Sequence, residues 1–307
     1  MKQGTLKADI LLVITATIWG FAFVAQRLGM DHVGPFTFNG VRFALGSLSL
    51  LPLIMVLGKR QPRPRGIERI SVFKGALLAG AALFAGASLQ QAGLVTTTAG
   101  NAGFITGLYV VLVPLVGLFW RQRPRTGTWV GAVMAVIGLY FLSVTADFTI
   151  SFGDFLVLLG AFFWAGHVLL IGWLAPRTDS LKLASAQFAV CSILSMLTAF
   201  AIEHVTLQGI LDAAVPILYG GLGSVGIAYT LQVIAQRDAH PAHSAIIMST
   251  EGVFAALGGW WLLGEILSLR GLFGCALMLA GMIVSELSVF FGQKKPAPAP
   301  ALSPAED

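Results

Sequence analysis

Residues 8–20 read ADILLVITATIWG, and residues 153–165 read GDFLVLLGAFFWA. Each stretch sets an aspartate at the head of an apolar run and a tryptophan ten positions later. Superposed at an offset of 145, Asp9 meets Asp154 and Trp19 meets Trp164, and the match continues through Ala16 with Ala161, Phe43 with Phe188 and Ser47 with Ser192. A further stretch matches at an offset of 143: Ala99 with Ala242, Ala102 with Ala245, Gly131 with Gly274 and Gly138 with Gly281. The change of two residues is a small deletion. Single matches between apolar sequences carry little weight, but the repeated Asp-x9-Trp spacing and the paired glycines together mark an internal duplication.

The solvent of these repeats follows from composition. Of 307 residues, 56% are hydrophobic and 11% are charged, against roughly 25% charged in a soluble domain. Mean hydropathy is +0.84, and the 36 glycines suit membrane helices, where glycine is unusually common. A helix needs about 20 mostly apolar residues to cross a bilayer core. The chain offers ten such runs, over residues 8–28, 35–57, 71–93, 99–120, 128–144, 154–174, 183–202, 213–235, 241–263 and 269–291. The expected fold is therefore all-α, a polytopic membrane protein of ten transmembrane helices. The first run is no cleaved signal, because it continues through Trp19 and Phe23 and nine more runs follow. Residues 292–307, with Lys294, Lys295 and four prolines, have nothing to bury and read as a disordered cytoplasmic tail.

Placing the amino terminus in the cytoplasm puts sixteen of the nineteen Lys and Arg residues inside, leaving Arg27 and Arg270 outside and Arg42 within a span. The positive-inside rule then sets both termini in the cytoplasm. Each repeat, residues 1–146 and 147–291, holds five spans. An odd number makes the second repeat enter the membrane from the opposite side, an inverted-topology duplication typical of secondary transporters whose halves rock around a midplane site. The location expected is a bacterial cytoplasmic (inner) membrane.

The residues that carry the duplication also resemble the drug/metabolite transporter superfamily, specifically its EamA-type ten-helix permeases, over essentially the whole chain to residue 291. The resemblance rests on Asp9, Trp19 and Gly20; on Arg42-Phe43; on Ala-Gly-Asn-Ala-Gly from Ala99; and on Leu263-Gly264-Glu265 followed by Gly274 and Gly281. It implies a permease, usually an exporter of amino acids or other small metabolites. One departure is visible: Gln122 stands in the first half where the acid of Leu-Gly-Glu would fall.

An ionisable group inside a span costs on the order of 3 kcal/mol and needs a reason. Two stand out. Arg42 lies seven residues into span two, about 10 Å deep, and Glu251 lies near mid-depth in span nine, so the two are able to pair. Arg42 suits a substrate carboxylate; Glu251 suits a cation or proton coupling. Helix-locking contacts are the competing reading for both. Polar and aromatic faces at spacings of three, four and seven supply the other candidates for substrate binding: Trp19 with Phe23 and Gln26, Gln90 with Gln91, Asn101, Trp164 with His167, Tyr229 with Gln232 and Gln236, and Ser244 with Met248 and Glu251. Glutamine and asparagine also glue membrane helices together.

No catalytic residue, cofactor or metal is expected. His240 and His243 lack further ligands nearby, Cys191 and Cys275 are a single pair within apolar runs, and neither HExxH nor a phosphate loop occurs. Gly86-Ala87-Ser88 has the form of a hydrolase motif, but chance produces it in a glycine-rich chain. The reading is a transporter rather than an enzyme, with a small-molecule substrate, lipid and protons as partners and no nucleic acid. Monomer and homodimer both remain open. A nucleotide sugar or other phosphorylated substrate, the alternative, would want several cations in the cavity, and Arg42 is the only base deep in a span. A zwitterion with one carboxylate, one amine and an apolar side chain for Trp19, Trp164 and Tyr229 fits better.

Overall fold

The computed structural model of the protein describes residues 3–57, 70–120, 124–144, 149–174, 177–235 and 247–290. Among them the structure is helical, with no strand beyond one isolated bridge between Val144 and Ile150. The helices are α1 (Gln3–Gly29), α2 (Pro35–Ser49), α3 (Leu51–Leu57), α4 (Val72–Gly93), α5 (Ala99–Gly107), α6 (Tyr109–Val116), α7 (Thr126–Ser143), α8 (Phe152–Leu174), α9 (Ser180–Ile202), α10 (Leu207–Asp212), α11 (Ala214–Leu218), α12 (Tyr229–Ala235), α13 (Glu251–Leu263) and α14 (Leu269–Phe290). Nine segments among these residues are long and apolar enough to cross a membrane. The expected tenth, span nine, is described only from Ile247, because residues 236–246 lie outside the described set, as do Arg121, Gln122, Arg123 and the tail.

Three spans are less regular than their hydropathy suggests. Span two divides at Leu50 into α2 and α3, and span four divides at Leu108 into α5 and α6, then tightens to a 3-10 turn over Gly117–Trp120. In span eight, α11 leads into a π-helix, Tyr219–Ala228, before α12. That stretch, YGGLGSVGIA, is glycine-rich because α2 presses against it. A Cβ on Gly221 would lie 2.8 Å from the Arg42 carbonyl, and one on Gly226 would lie 2.6 Å from Ser49 Oγ.

Matched spans of the two repeats cross each other antiparallel, and small residues make the crossings possible. In the α2/α9 pair, Ser47 Oγ donates to the Ser185 carbonyl at 2.8 Å and Ser192 Oγ donates to the Gly40 carbonyl at 2.7 Å. The 145-residue offset exchanges one bond for the other. Phe43 and Phe188, also matched by that offset, stack at 5.9 Å; matched residues touch only beside the two-fold axis that relates the halves. In the α7/α14 pair, Gly131 faces the Gly281 backbone and Gly138 faces that of Gly274, and the 143-residue offset again exchanges the two contacts. Spans four and nine cross as well, with Gly103 against Gly252 and Ala255. The architecture is thus two inverted five-helix repeats.

Helix packing then closes eight spans into a circuit: the first lies on the ninth, the ninth on the fourth, the fourth on the sixth, the sixth on the third, the third on the seventh, the seventh on the second, the second on the eighth and the eighth on the first. Spans five and ten pair outside it. The face where α1 begins is here the near face, and the other is the far face. A broad apolar outer surface, including Phe162, Phe163, Trp173, Trp260 and Trp261, stays uncovered, as a lipid-facing surface does.

The glycine crossing supplies a test. A Cβ at Gly274 would meet the Gly138 carbonyl at 2.6 Å and the Leu142 amide at 2.8 Å, whereas one at Gly166 would meet nothing within 4 Å. Overpacking against backbone costs about 1–3 kcal/mol. Gly274→Ala is expected to lower the melting temperature in detergent by several degrees, and Gly166→Ala to leave it unchanged or raise it.

Candidate functional site

Within the circuit, the bonds of Gln90 and Gln91 to Gln26, of Thr106 to Gln90 and of Asn39 to Ala87 join spans that are not neighbours around it, and they identify the inward faces. Gln90 of span three is the hub. Its Nε2 donates to Gln26 Oε1 of span one at 3.0 Å, and its Oε1 accepts from Trp164 Nε1 at 2.9 Å and from Thr106 Oγ1 at 3.4 Å. Gln91 donates to the Gln26 carbonyl at 3.1 Å, and Asn39 Nδ2 donates to the Ala87 carbonyl at 3.0 Å. Trp164 reaches Gln90 because helical side chains lean toward the helix amino terminus, here the far face. Its repeat counterpart Trp19 directs its indole N–H to the Ser224 carbonyl at 3.1 Å, in the π-helix. Each tryptophan therefore ties its span to the matched member of the pair formed by spans three and eight.

Arg42 is 4% exposed. Its Nε donates to Asn39 Oδ1 at 2.9 Å, and its guanidinium carbon stands 4.5 Å from the centre of the Phe43 ring and 5.7 Å from that of Phe38. Gly220 leaves room for its stem, as a Cβ there would lie 3.2 Å from Arg42 Cδ. Among the described residues, the two ion pairs are Arg27–Asp31 and Asp179–Lys182, so no carboxylate faces the buried guanidinium, and its two terminal nitrogens have no hydrogen-bond partner there. Glu251, 5% exposed, opens α13 and is not paired with Arg42. Tyr109 on α6 is in electrostatic contact with Glu251 and with Glu286 of α14. Among the described residues, neither Arg42 nor Glu251 thus has an ion-pair partner.

The other sequence candidates divide between these surroundings. His167 shares a hydrogen bond of 2.9 Å with Gln187 and meets Trp164 edge-to-face at 5.9 Å. Tyr229 packs edge-on against Phe188 at 5.6 Å, which brings it to the Phe43–Phe188 stack beside Arg42. Gln232 Nε2 lies 3.5 Å from Met248 Sδ. Asn101 is set apart. Its amide donates to Asp154 Oδ2 at 3.1 Å, and Thr97 Oγ1 bonds the same carboxylate at the far-face end of α8. Gln236, His240, His243 and Ser244 lie outside the described residues.

Asn39, Thr106, Tyr109, Gln187 and Glu286 were missed by sequence reasoning. Two carried a usable signal. Gln187 is the 145-residue counterpart of Arg42, and Glu286 is an acid inside span ten that the cost argument for Glu251 reaches equally. The remaining three are ordinary helix residues until the packing is known.

The sequence description of the EamA-like transporter family matches this chain twice, over residues 6–144 and 151–287. The chain belongs to the EamA-like transporter family. It is an integral membrane protein and a member of the drug/metabolite transporter superfamily. Its relatives include an uncharacterized transporter of Archaeoglobus fulgidus, 34% identical over 92% of this chain and 87% of that protein. The uncharacterized inner membrane transporter YedA of Escherichia coli is 26% identical over 94% of this chain and 93% of that protein. A solved crystal structure superposes with a TM-score of 0.64 over 94% of this chain and 99% of its own, at 18% identity, a likeness of fold.

The placement of Asn101 yields a second test. Removing one donor from a buried carboxylate costs about 1–3 kcal/mol. Asn101→Ala is expected to lower the melting temperature by a few degrees and leave the substrate KM of the folded protein unchanged. Gln90→Leu, which strips a partner from Trp164 and Gln26, is expected to raise KM as well.

Proposed function

We propose that this EamA-family protein exports amino acids, or similar small metabolites that join polar and aromatic groups, across a bacterial cytoplasmic membrane by alternating access, with both termini in the cytoplasm. The observation that carries the reading is the buried Arg42 guanidinium, without a carboxylate partner among the described residues and flanked by Phe38 and Phe43. A permanently charged group in lipid surroundings is costly, and a substrate carboxylate arriving at its free nitrogens offsets that cost through charge-assisted hydrogen bonds. Asn39 fixes the fork by holding Nε.

The rest of the assignment follows from residue chemistry. Glu251 meets the amine of the substrate or exchanges a proton during the cycle. Tyr229, Trp19 and Trp164 offer ring surfaces to an apolar side chain, while Gln90, His167 and Gln232 supply hydrogen bonds at the edges. One base is too few for a phosphorylated metabolite, which favours a carboxylate. The two repeats, matched residue for residue at their crossings, rock about the Phe43–Phe188 contact so that the site opens to one face and then to the other.

Purified protein in liposomes tests this by counterflow of labelled amino acids, with nucleotides and sugars as controls, with and without a pH gradient. Amino-acid uptake is expected. Losing a charged hydrogen bond is worth about 1.5–3 kcal/mol, so Arg42→Ala should reduce uptake roughly tenfold or more. Glu251→Gln should abolish any response to the gradient. Folded, inserted variants that transport at the normal rate would sink both assignments.

A further inference from the structure

Two glutamates of the second repeat reach back to helix starts in the first, both at the far face. Glu203, at the end of α9, accepts at 2.8 Å from the Phe36 amide, at 2.8 Å from the Thr37 amide and at 2.7 Å from the Thr37 hydroxyl, at the first turn of α2. Glu265, just past α13, accepts from the Ala99 amide at 2.8 Å and from the Gly100 amide at 3.2 Å, at the first turn of α5. Helix starts attract carboxylates, because their first amides lack intrahelical partners and the helix dipole is positive there.

Three features make these contacts more than ordinary caps. Each joins a span to its own repeat counterpart, seven to two and nine to four, so each ties the two halves together. The backbone is shaped around both: the space a Cβ would need at Gly34 is filled by the Glu203 carboxylate, and that at Gly259 by the Glu265 carboxylate. Gly264, with φ of +67°, closes α13 and turns the chain so that the Glu265 amide donates to the Gly259 carbonyl at 3.0 Å. The duplication is also broken here. The sequence places Gly58 at the position matched to Glu203 and Gln122 at that matched to Glu265, so the first repeat carries neither acid there.

Beneath the two contacts lie bonds that cross the circuit in the same half. Gln26 of α1 lies three residues from the far-face end of its helix, and Gln90 of α4 lies three residues from its own. Asn39, four residues into α2, adds a bond to α4.

We infer that Glu203 and Glu265 are the gating residues of the far face, a paired latch that holds the halves together there and biases the resting protein toward a state closed to that side. Opening the far half separates spans two and four from the carboxylates that cap them, and the first repeat carries neither acid at the matched positions, Gly58 and Gln122. This rests on the alternating-access reading above, and the test separates the two.

The reporter is Thr106→Cys, inside the circuit beyond the Gln26–Gln90 bond, in a background with Cys191→Ser and Cys275→Ser. A membrane-impermeant maleimide is applied from either face of oriented vesicles. With both Glu203→Gln and Glu265→Gln introduced, labelling from the far face is expected to accelerate at least fivefold and labelling from the near face to slow. Thr37→Val, which removes only the hydroxyl contact to Glu203 and leaves both carboxylates in place, should shift the rates in the same direction by less, and serves if the double variant does not fold. Labelling whose sidedness responds to transported amino acid but is unmoved by all of these variants overturns the latch and leaves alternating access standing. Labelling from one face only, whatever the substrate or variant, overturns alternating access and the latch with it.

Discussion

Between apolar helices in lipid there is little hydrophobic drive to associate, so packing and a few hydrogen bonds must hold the bundle together. In this protein that burden falls on the antiparallel crossing of matched spans. At Gly131 with Gly281 and Gly138 with Gly274 the backbones approach until a single Cβ would collide with a carbonyl, and at Ser47 with Ser185 each hydroxyl donates to the other residue's carbonyl. Everything else is placed by these crossings. With α2 across α9 and α5 across α13, spans six and three join these pairs on one side and spans eight and one on the other, and the Phe43–Phe188 stack falls on the axis between the halves. An interhelical hydrogen bond in a membrane contributes about 0.6 kcal/mol, so no single serine decides the fold; the repetition of the same contact at symmetric positions does.

The duplication and span count were legible because both are written in the pattern of apolar and small residues. Ten runs of sufficient length, the Asp-x9-Trp spacing and the glycines at offset 143 translate directly into inverted repeats. The interruptions were not legible. Pro52, two positions after Leu50, and Gly107, just before Leu108, are residues that membrane helices commonly absorb, so these breaks emerge only in context, and the π-helix over Tyr219–Ala228 follows from how closely α2 approaches it. Arg42 was found by its cost. Its surroundings were not, because Gly220, Phe38 and Asn39 come from packing and from the rotamers of its own helix. Asn101 looked like a cavity residue by type alone; the group that takes it up, Asp154, is 53 positions away in sequence and meets it only once spans four and six pack.

Pseudo-symmetry gives a way to sort the polar residues. Positions that are the same in both repeats do the same structural work twice: Trp19 ties span one to span eight as Trp164 ties span six to span three, Ser47 and Ser192 bond matched carbonyls, and the four glycines make one crossing. A residue required for the crossing must serve both halves, since a two-fold contact uses each position once from each side. Substitution at one of a pair therefore damages a contact that its partner cannot restore.

Where the repeats differ, the argument runs the other way. Arg42 is matched by Gln187, Glu251 by Leu108, His167 by Ala22, Glu203 by Gly58 and Glu265 by Gln122. The fold does not require a charge at any of these positions, because the matched spans pack without one in the opposite repeat. A symmetric scaffold is indifferent to which face is open; exchanging the conformations of the two halves would turn one state into the other at equal energy. Charges placed in one repeat remove that equality. On the proposed alternating-access cycle they would give the bundle a preferred closed side, and they make its polar residues different in the two halves. Apart from Asp9 and Asp154, which the duplication keeps, these ionisable groups thus fall where they break the symmetry that built the bundle.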